Sequence, residues 1–354
     1  MNRTCLIGIG TAVPDHTLHQ ADAATHAAMF NLSPKDDRIV QALYRRAGVK
    51  ARSSVLADNE GRLRFYNPEL EIPSTAKRMR VYEQHAGALA ARACREALQR
   101  ADTSPTQITH LITVSCTGFA APGVDLELIR VLGLSADTRR THIGFMGCHA
   151  AVNAIAVAQA FAGYDPRARV LICCVELCSL HFDHEADSQG HVANALFADG
   201  AAAAIIAASE TDPVCVEETG SIVFPNSADL MSWHIGDQGF RMRLSPRVPA
   251  TLAEFVPPWI HDWLAQSGHS ASDIASWAIH PGGPRMLGAL SDALELDSCM
   301  VAVSRTVLAQ NGNMSSATLL FIIQRLLDDK SPMPLLATAF GPGLAGEAIL
   351  LTNG

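Results

Sequence analysis

Cys148, in HIGFMGCHAAVNAIAVAQAF (residues 142–161), follows a glycine and opens a long run of small and apolar residues. At a helix start the backbone N–H groups lack partners and the aligned peptide dipoles present positive charge. Both effects favour a thiolate, and Ala150 and Ala151 leave space for a reactant. A cysteine that only fills core needs neither feature, so this position marks Cys148 as a candidate nucleophile. Nucleophilic cysteines work with a histidine and a third polar residue. Among fourteen histidines, His280 is distinctive because it ends an apolar strand and meets Pro-Gly-Gly. Asn313, in Asn-Gly-Asn, heads a second apolar helix. Helix starts and strand ends converge on one cleft in doubly wound α/β proteins, which groups Cys148, His280 and Asn313 into one site.

A zinc site is the competing use of the cysteines. CCVELCSLHFDH (173–184) offers Cys174, Cys178, His181 and His184 at suggestive spacings. Cys174, however, falls in mid-strand, where alternate residues face opposite sides, whereas tight zinc sites sit on turns. The remaining cysteines lie in apolar segments and read as buried free thiols acting as small hydrophobes.

The elements that must hold these side chains alternate. RTCLIGIGTAVP is a strand and a turn, 81–101 has helical periodicity, and 108–119 is a strand entering a glycine turn. A helix runs from Cys148 to about Gly163, strands follow at 169–177 and within 195–209, and 276–283 is a strand ending in a Gly-Pro turn. Residues 311–329 form a turn and a helix, and 334–352 form two strands about Gly-Pro-Gly. This alternation predicts an α/β architecture. The halves also resemble each other: GCHAAVNAIAVAQAF matches GNMSSATLLFIIQRL, with Cys148 opposite Asn313, and ALFADGAAAAII matches TAFGPGLAGEAILL. An internal duplication follows, each half placing a polar residue at the start of a buried helix.

The 354 residues, 48% hydrophobic and 18% charged, suffice for a large core and exclude a disordered chain. A net charge of −8 argues against nucleic-acid binding. One local basic cluster, YRRAGVKAR (44–52), could meet a small anion. The N-terminal apolar stretch is too short and glycine-rich for a signal peptide or membrane span, which points to a cytoplasmic protein.

Taken together, GFMGCHAA, ALFADGAAA, WHIGDQGFRMRLSPRVP (233–249), HPGGPRML, NGNMSSATLLF and AFGPGLAGE resemble the type III polyketide synthases, the chalcone and stilbene synthase family. The motifs occur in the family's order from about residue 110 to the end; the first hundred residues match more loosely. The resemblance implies the thiolase fold, a duplicated five-layer αβαβα arrangement with mixed sheets. Residues 1–215 would be the half carrying the nucleophile, and 216–354 the half carrying His280 and Asn313. It implies a Cys148 thioester, held ready as a thiolate by His280, and decarboxylative condensation of an acyl-CoA starter with malonyl-CoA. The product would cyclise to a pyrone, resorcinol or other phenol. No metal and no organic cofactor is implied, only coenzyme A thioesters as substrates.

The resemblance carries further residues. Phe197 matches the first of two phenylalanines guarding the family's cavity, while the second position holds Met242. Cys116, Cys178, His181, Trp233 and Ser315 fall on positions that shape the cavity, Trp233 where plant members usually have a small residue. Cys116 reads as a wall residue rather than a second reactive thiol. Arg45 and Arg46, with Lys50 and Arg52, are candidates for the coenzyme A phosphates. A homodimer is implied, with FAAPGV (119–124) at its boundary and a cis Ala121–Pro122 bond. The lost phenylalanine and Ala121 suggest a fatty acyl starter giving alkylpyrones or alkylresorcinols; delivery by an acyl-carrier protein stays open. Two alternatives remain: a priming ketoacyl synthase, in which the histidine would be followed by Gln-Ala-Asn instead of Pro-Gly-Gly, and a non-catalytic acyl-CoA-binding relic. A thiolase would need a second cysteine near Asn313, and a hydroxymethylglutaryl-CoA synthase a catalytic glutamate that Glu176 does not obviously supply.

Overall fold

The computed structural model describes residues 3–30, 34–210 and 214–354. The first half contains β1 (Arg3–Ala12), β2 (Thr17–His19), α1 (Gln20–Ala28), α2 (Pro34–Arg46), β3 (Ala51–Ser53), α3 (Thr75–Arg100), β4 (His110–Ser115), α4 (Val124–Leu132), β5 (Arg139–Gly144), α5 (Ala150–Tyr164), β6 (Arg169–Leu177), α6 (Ser188–Leu196) and β7 (Asp199–Ser209). The second half contains β8 (Val214–Val223), β9 (Met231–Gly236), β10 (Gly239–Leu244), α7 (Val248–Gln266), β11 (Ser276–Ile279), α8 (Pro284–Ala293), α9 (Ala302–Asn311), α10 (Thr318–Asp328), β12 (Leu335–Gly341) and β13 (Ala345–Asn353).

Nine strands join in the order β11-β12-β13-β8-β1-β7-β6-β4-β5. Read outward from the β1–β8 junction, one side runs β1-β7-β6-β4 and the other β8-β13-β12-β11. The senses agree as well: β4 and β6 are parallel, as are β11 and β12, while every other pair in the two series is antiparallel. The duplication seen in the motifs is therefore a duplication of topology. Within the sheet the halves meet at β1 and β8, where Cys5 lies opposite Cys215 and is joined to it as a disulfide. These two depart from the expectation of free thiols; the other seven cysteines are free, all buried except Cys299. The expected boundary at residue 215 falls just inside β8. The connection at 211–213 lies outside the described residues, as do residues 1 and 2 of the expected first half.

Burial sorts the chain into five layers. One cluster packs α3 and α4 against one face of β1, β4, β6 and β7, through Ala90, Ala97, Leu128, Leu171 and Ile205. A second buries α5 and α10 between the two halves of the sheet, through Ala154, Ala158, Ile172, Ile323 and Ile349. A third packs α7 and α8 on the far face, through Ile260, Leu264, Leu287, Leu336 and Leu350. The order is helix, sheet, helix, sheet, helix. β6 shows why the sequence reads so clearly here: Val170, Ile172 and Cys174 face the central helices, while Leu171, Cys173 and Val175 face α3. Both faces are buried, so the strand is an unbroken apolar run.

Candidate active site

Gly147–His149 form a 3-10 turn that passes directly into α5, and Ser315–Ala317 form the matching turn ahead of α10. The two turns pack against each other between the half-sheets. Cys148 therefore stands at the head of the central helix, as its surroundings in the sequence implied. The pairing with Asn313 needs correction. The residue at the middle of the second turn is Ser316, and Asn313 lies in the approach to it, because the lead-in to the second turn is longer than Gly147 alone.

Backbone geometry makes Cys148's neighbours obligatory. Gly147 adopts φ +77°, and a Cβ there would lie 2.4 Å from Pro342 Cδ. A Cβ on Gly341 would meet the His149 ring at 2.3 Å. The Gly-Pro-Gly turn after β12 thus packs directly onto the nucleophile's turn.

The Cys148 sulfur is buried and donates to Ser315 Oγ at 3.7 Å. Asn313 favours the Cys148 thiolate. The Asn313 Oδ1 accepts from the Ser315 N–H at 2.9 Å, and its carboxamide NH2 is a donor. Backbone bonds fix the asparagine: its N–H donates to Leu196 O, and its carbonyl accepts from Ala198 N–H, both at 2.9 Å. Met314 Sδ would lie 2.4 Å from a Cβ on Gly200, so this approach is filled to contact.

His280 follows β11 and is fully buried; its N–H donates to Thr338 O at 2.9 Å. Neither ring nitrogen has a hydrogen-bond partner. A buried imidazole whose two nitrogens have no protein partner is available to a ligand or a transferred proton. Burial pushes the His280 imidazole down to about 3, with the nearby His149 acting the same way. Burial pushes the Cys148 thiol up to about 12; hydrogen bonds from Ser315 and Asn313 oppose this, and the Glu176 charge adds to it. Desolvation opposes the helix start here and favours the neutral form of both groups.

Glu176 is the residue that sequence reasoning undervalued. It is fully buried on β6, and burial raises its carboxyl above the ordinary value. Its oxygens accept from Cys116 N–H at 3.0 Å, Thr117 Oγ1 at 2.7 Å and Ser316 Oγ at 2.5 Å. It therefore ties the end of β4 to the second turn. The available signal was a single carboxylate inside the apolar run VLICCVELC. Cys116 Sγ lies 3.5 Å from Glu176 and 3.2 Å from Ser315 Oγ, and burial beside that carboxylate raises its thiol well above normal. A wall residue fits this environment; a second nucleophile does not.

A small chamber of about 20 Å³ adjoins Cys148, lined by Cys116, Cys178, Phe197, Trp233, Met242 and Ser315 among others. All the sequence-derived cavity residues except His181 line it. A second chamber, lined by His181 with Leu18, Ala23, Leu63 and Phe182, shares Cys178, Phe197, Trp233 and Met242 with the first. Those four side chains form the partition. Trp233 and Met242 sit opposite each other on β9 and β10, and the indole N–H donates to Cys116 O at 2.7 Å. His181 is not free to titrate. Its Nε2 bonds to Thr117 O at 2.6 Å, its Nδ1 accepts from Phe240 N–H at 3.0 Å, and burial pushes it down to about 3. These bonds also disperse the zinc alternative, since Cys174 points at the central helices while His181 is committed to the backbone. No group of three or more metal-binding side chains clusters among the described residues.

The basic cluster separates. Arg46 lines an open cleft of about 390 Å³ together with Arg285, and this cleft reaches Gly282 and Gly283 beside His280. Arg45 is exposed on α2 but does not line the cleft, and Lys50 is exposed as well. Arg52 is 5% exposed, with its guanidinium on backbone carbonyls, so it cannot meet a coenzyme at the surface.

The family model described as "Chalcone and stilbene synthases, N-terminal domain" matches residues 2–210, and its C-terminal counterpart matches 216–353. The chain belongs to the chalcone and stilbene synthase family. The synthase is 31% identical over 354 residues to the "alpha-pyrone synthesis polyketide synthase-like Pks18" of Mycobacterium tuberculosis, covering 97% of this chain and 89% of that one. It is 32% identical to the 1,3,6,8-tetrahydroxynaphthalene synthase of Streptomyces coelicolor, covering 96% and 89%. Among solved structures it matches PKS-I of the brown alga Ectocarpus siliculosus with a TM-score of 0.95 at 26% identity, covering 100% and 99%. The C-terminal type III polyketide synthase domain of Steely1 from Dictyostelium matches with a TM-score of 0.92 at 28% identity, covering 99% of each chain. The synthase is thus a type III polyketide synthase, an acyltransferase with the thiolase fold, and neither the priming ketoacyl synthase nor the non-catalytic relic is favoured. Its substrates are acyl thioesters of coenzyme A, and the family's chemistry needs no further cofactor. No helix among the described residues is long and apolar enough to cross a membrane.

Proposed function

We propose that Cys148, His280 and Asn313 carry out decarboxylative condensation of an acyl-CoA starter with malonyl-CoA. The observation that supports this reading is the packing of the Cys148 turn against the turn that follows Asn313, together with a fully buried His280 whose two ring nitrogens have no protein partner. The Cys148 sulfur attacks the starter's thioester carbonyl as its proton passes to His280. The C–S bond to coenzyme A breaks, and the departing thiolate takes that proton. Malonyl-CoA then loses carbon dioxide. The electron pair of the broken C–C bond forms an enolate, whose oxygen receives hydrogen bonds from the His280 N–H and the Asn313 NH2. The enolate carbon attacks acyl-Cys148, a C–C bond forms, and the sulfur leaves. The chain is two carbons longer and back on coenzyme A.

Arg46 and Arg285 at the mouth of the open cleft are placed to meet coenzyme A phosphates. Phe197, Met242, Trp233, Cys178, Cys116 and Ser315 bound the space that selects starter and product, and His181 supports it from behind. The second chamber supports a fatty acyl starter, with cyclisation to an alkylpyrone or alkylresorcinol. The sheet order and the two family models support a division into an N-terminal nucleophile half and a C-terminal half at the β7–β8 connection. A homodimer is the proposed assembly: β5 is an open sheet edge, and Phe119, Phe145 and Met146 are exposed near the cis Ala121–Pro122 bond. The cytoplasm is the proposed location.

The test is mass spectrometry of wild type and Cys148→Ala with malonyl-CoA and a panel of acyl-CoA starters, each also presented on an acyl-carrier protein. An acyl adduct and cyclised products in the wild type alone are expected. An adduct that survives in Cys148→Ala, or none on the wild type from any starter, would refute the assignment.

A further inference from the structure

We infer that Arg52 is a positioning residue that sets starter selection by fixing the backbone of the Phe197 gate. This inference rests on Cys148 and Phe197 acting as proposed above. Arg52 lies on β3, buried, and faces the C-terminal end of α6. Its Nη1 donates to Asn194 O at 2.9 Å and to Phe197 O at 2.7 Å. Its Nη2 donates to Ala195 O at 2.7 Å and to the Gln20 side-chain oxygen. The last carbonyls of a helix have no partners within the helix and carry partial negative charge. One guanidinium therefore collects three carbonyls at this helix end, those of Asn194 and Ala195 in its last turn and of Phe197 just beyond it. Gln20 completes the arrangement, donating from Nε2 to Ala195 O at 2.9 Å and to Tyr44 O at 3.2 Å.

The opposite side of the same segment is held by the candidate active site. Leu196 O and Ala198 N–H bond the Asn313 backbone, so residues 194–198 are clamped between Arg52 and Asn313. Phe197, at the centre of that clamp, lines both chambers. Its ring can turn about χ1, but its Cα cannot shift without breaking bonds to one side or the other. A chamber of about 20 Å³ admits no thioester, so its rim must open during turnover. The clamp confines that opening to side-chain motion and sets where the ring swings. Lysine, whose three N–H donors share one nitrogen, cannot reproduce a planar fork that spans these carbonyls and Gln20.

The test compares kcat/KM for two starters of different chain length that the wild type turns over, drawn from acetyl-, hexanoyl- and dodecanoyl-CoA. The variants are Arg52→Lys, Phe197→Ala and the double variant, with acylation of Cys148 followed by intact mass. Arg52→Lys should change the ratio between starters on the order of tenfold, and by less than about twofold when Phe197 is already alanine. Equal losses for both starters, or a ratio change that persists without the Phe197 ring, would overturn the inference while leaving the proposed reaction intact. A wild type that forms no adduct on Cys148 would instead remove the reading beneath it. If Arg52→Lys does not fold, Gln20→Met loosens the same clamp from its other end; a smaller change of ratio in the same direction is expected, and an unchanged ratio overturns the proposal.

Discussion

The Ser315 hydroxyl stands between two sulfurs, 3.7 Å from Cys148 and 3.2 Å from Cys116. It belongs to the turn opening the second central helix, and both cysteines belong to the first half of the chain. Of the two thiols, Cys148 alone is also pulled toward the thiolate by Asn313. Removing the hydroxyl in Ser315→Ala takes away a bond that favours the thiolate. Alkylation of Cys148 by iodoacetamide at fixed pH should slow about three- to tenfold. An unchanged rate would mean that the hydroxyl does not reach the reacting sulfur.

The pH dependence of that alkylation follows from burial. With the thiol pushed up to about 12, its thiolate fraction is small and grows about tenfold per pH unit. The rate should climb from pH 7 to 10 with no plateau. A plateau below pH 8 would show a standing thiolate–imidazolium pair. Peptide mapping, which separates out the label on the exposed Cys299, should find Cys148 modified and Cys116 unmodified, since burial, with the Glu176 carboxylate beside it, raises the Cys116 thiol further.

Two buried histidines make the fold sensitive to acid. His181 and His280 are both pushed down to about 3, against an ordinary value of 6.5. The unfolded chain therefore binds protons below pH 6.5 that the folded chain refuses. The stability contributed by each neutral imidazole is complete above that pH and falls as pH drops toward 3, by about 1.4 kcal/mol per pH unit per histidine. His280→Asn should flatten the decline in Tm between pH 6.5 and 4 compared with the wild type. An equal decline in both would show that His280 protonates in the folded state at its ordinary pH.

Trp233 fills space between the two chambers and bonds the Cys116 carbonyl. Trp233→Ala should enlarge the space beside Cys148 and lengthen the products seen by liquid chromatography–mass spectrometry. The lost packing and the orphaned carbonyl should cost about 3 kcal/mol. Trp233→Phe keeps an aromatic wall, though not the full volume or the indole N–H, and should shift the product less than alanine does. Identical products from all three proteins would remove Trp233 from the cavity wall.

Gly147→Ala places a Cβ against Pro342 Cδ on a backbone at φ +77°. Strain of about 1–3 kcal/mol should fall on the turn that carries Cys148. Acylation of Cys148 should drop more than about a hundredfold while the protein still unfolds cooperatively, because misplaced reacting atoms cost far more rate than stability. Acylation at the wild-type rate would show that the turn tolerates a side chain.

Much of this was legible in the residues alone. β6 spans 169–177 as its apolar run predicts, and Cys148 opens α5 because glycine precedes it and small helix formers follow. The order of motifs announced both the duplication and the family. Such features are local: period, turn residues and a helix start act over a few neighbours, so the chain itself specifies them. The tertiary structure decided what depends on partners far apart in sequence. Arg52 reads as one more cation in a basic cluster, yet it is buried against the end of α6. Glu176 reads as an oddity in a strand, yet it joins β4 to the second turn. Cys148 reads as a thiolate at a helix start, yet burial pushes its thiol the other way. Desolvation and long-range hydrogen bonding belong to the packed chain, and no window of sequence contains both sides of them.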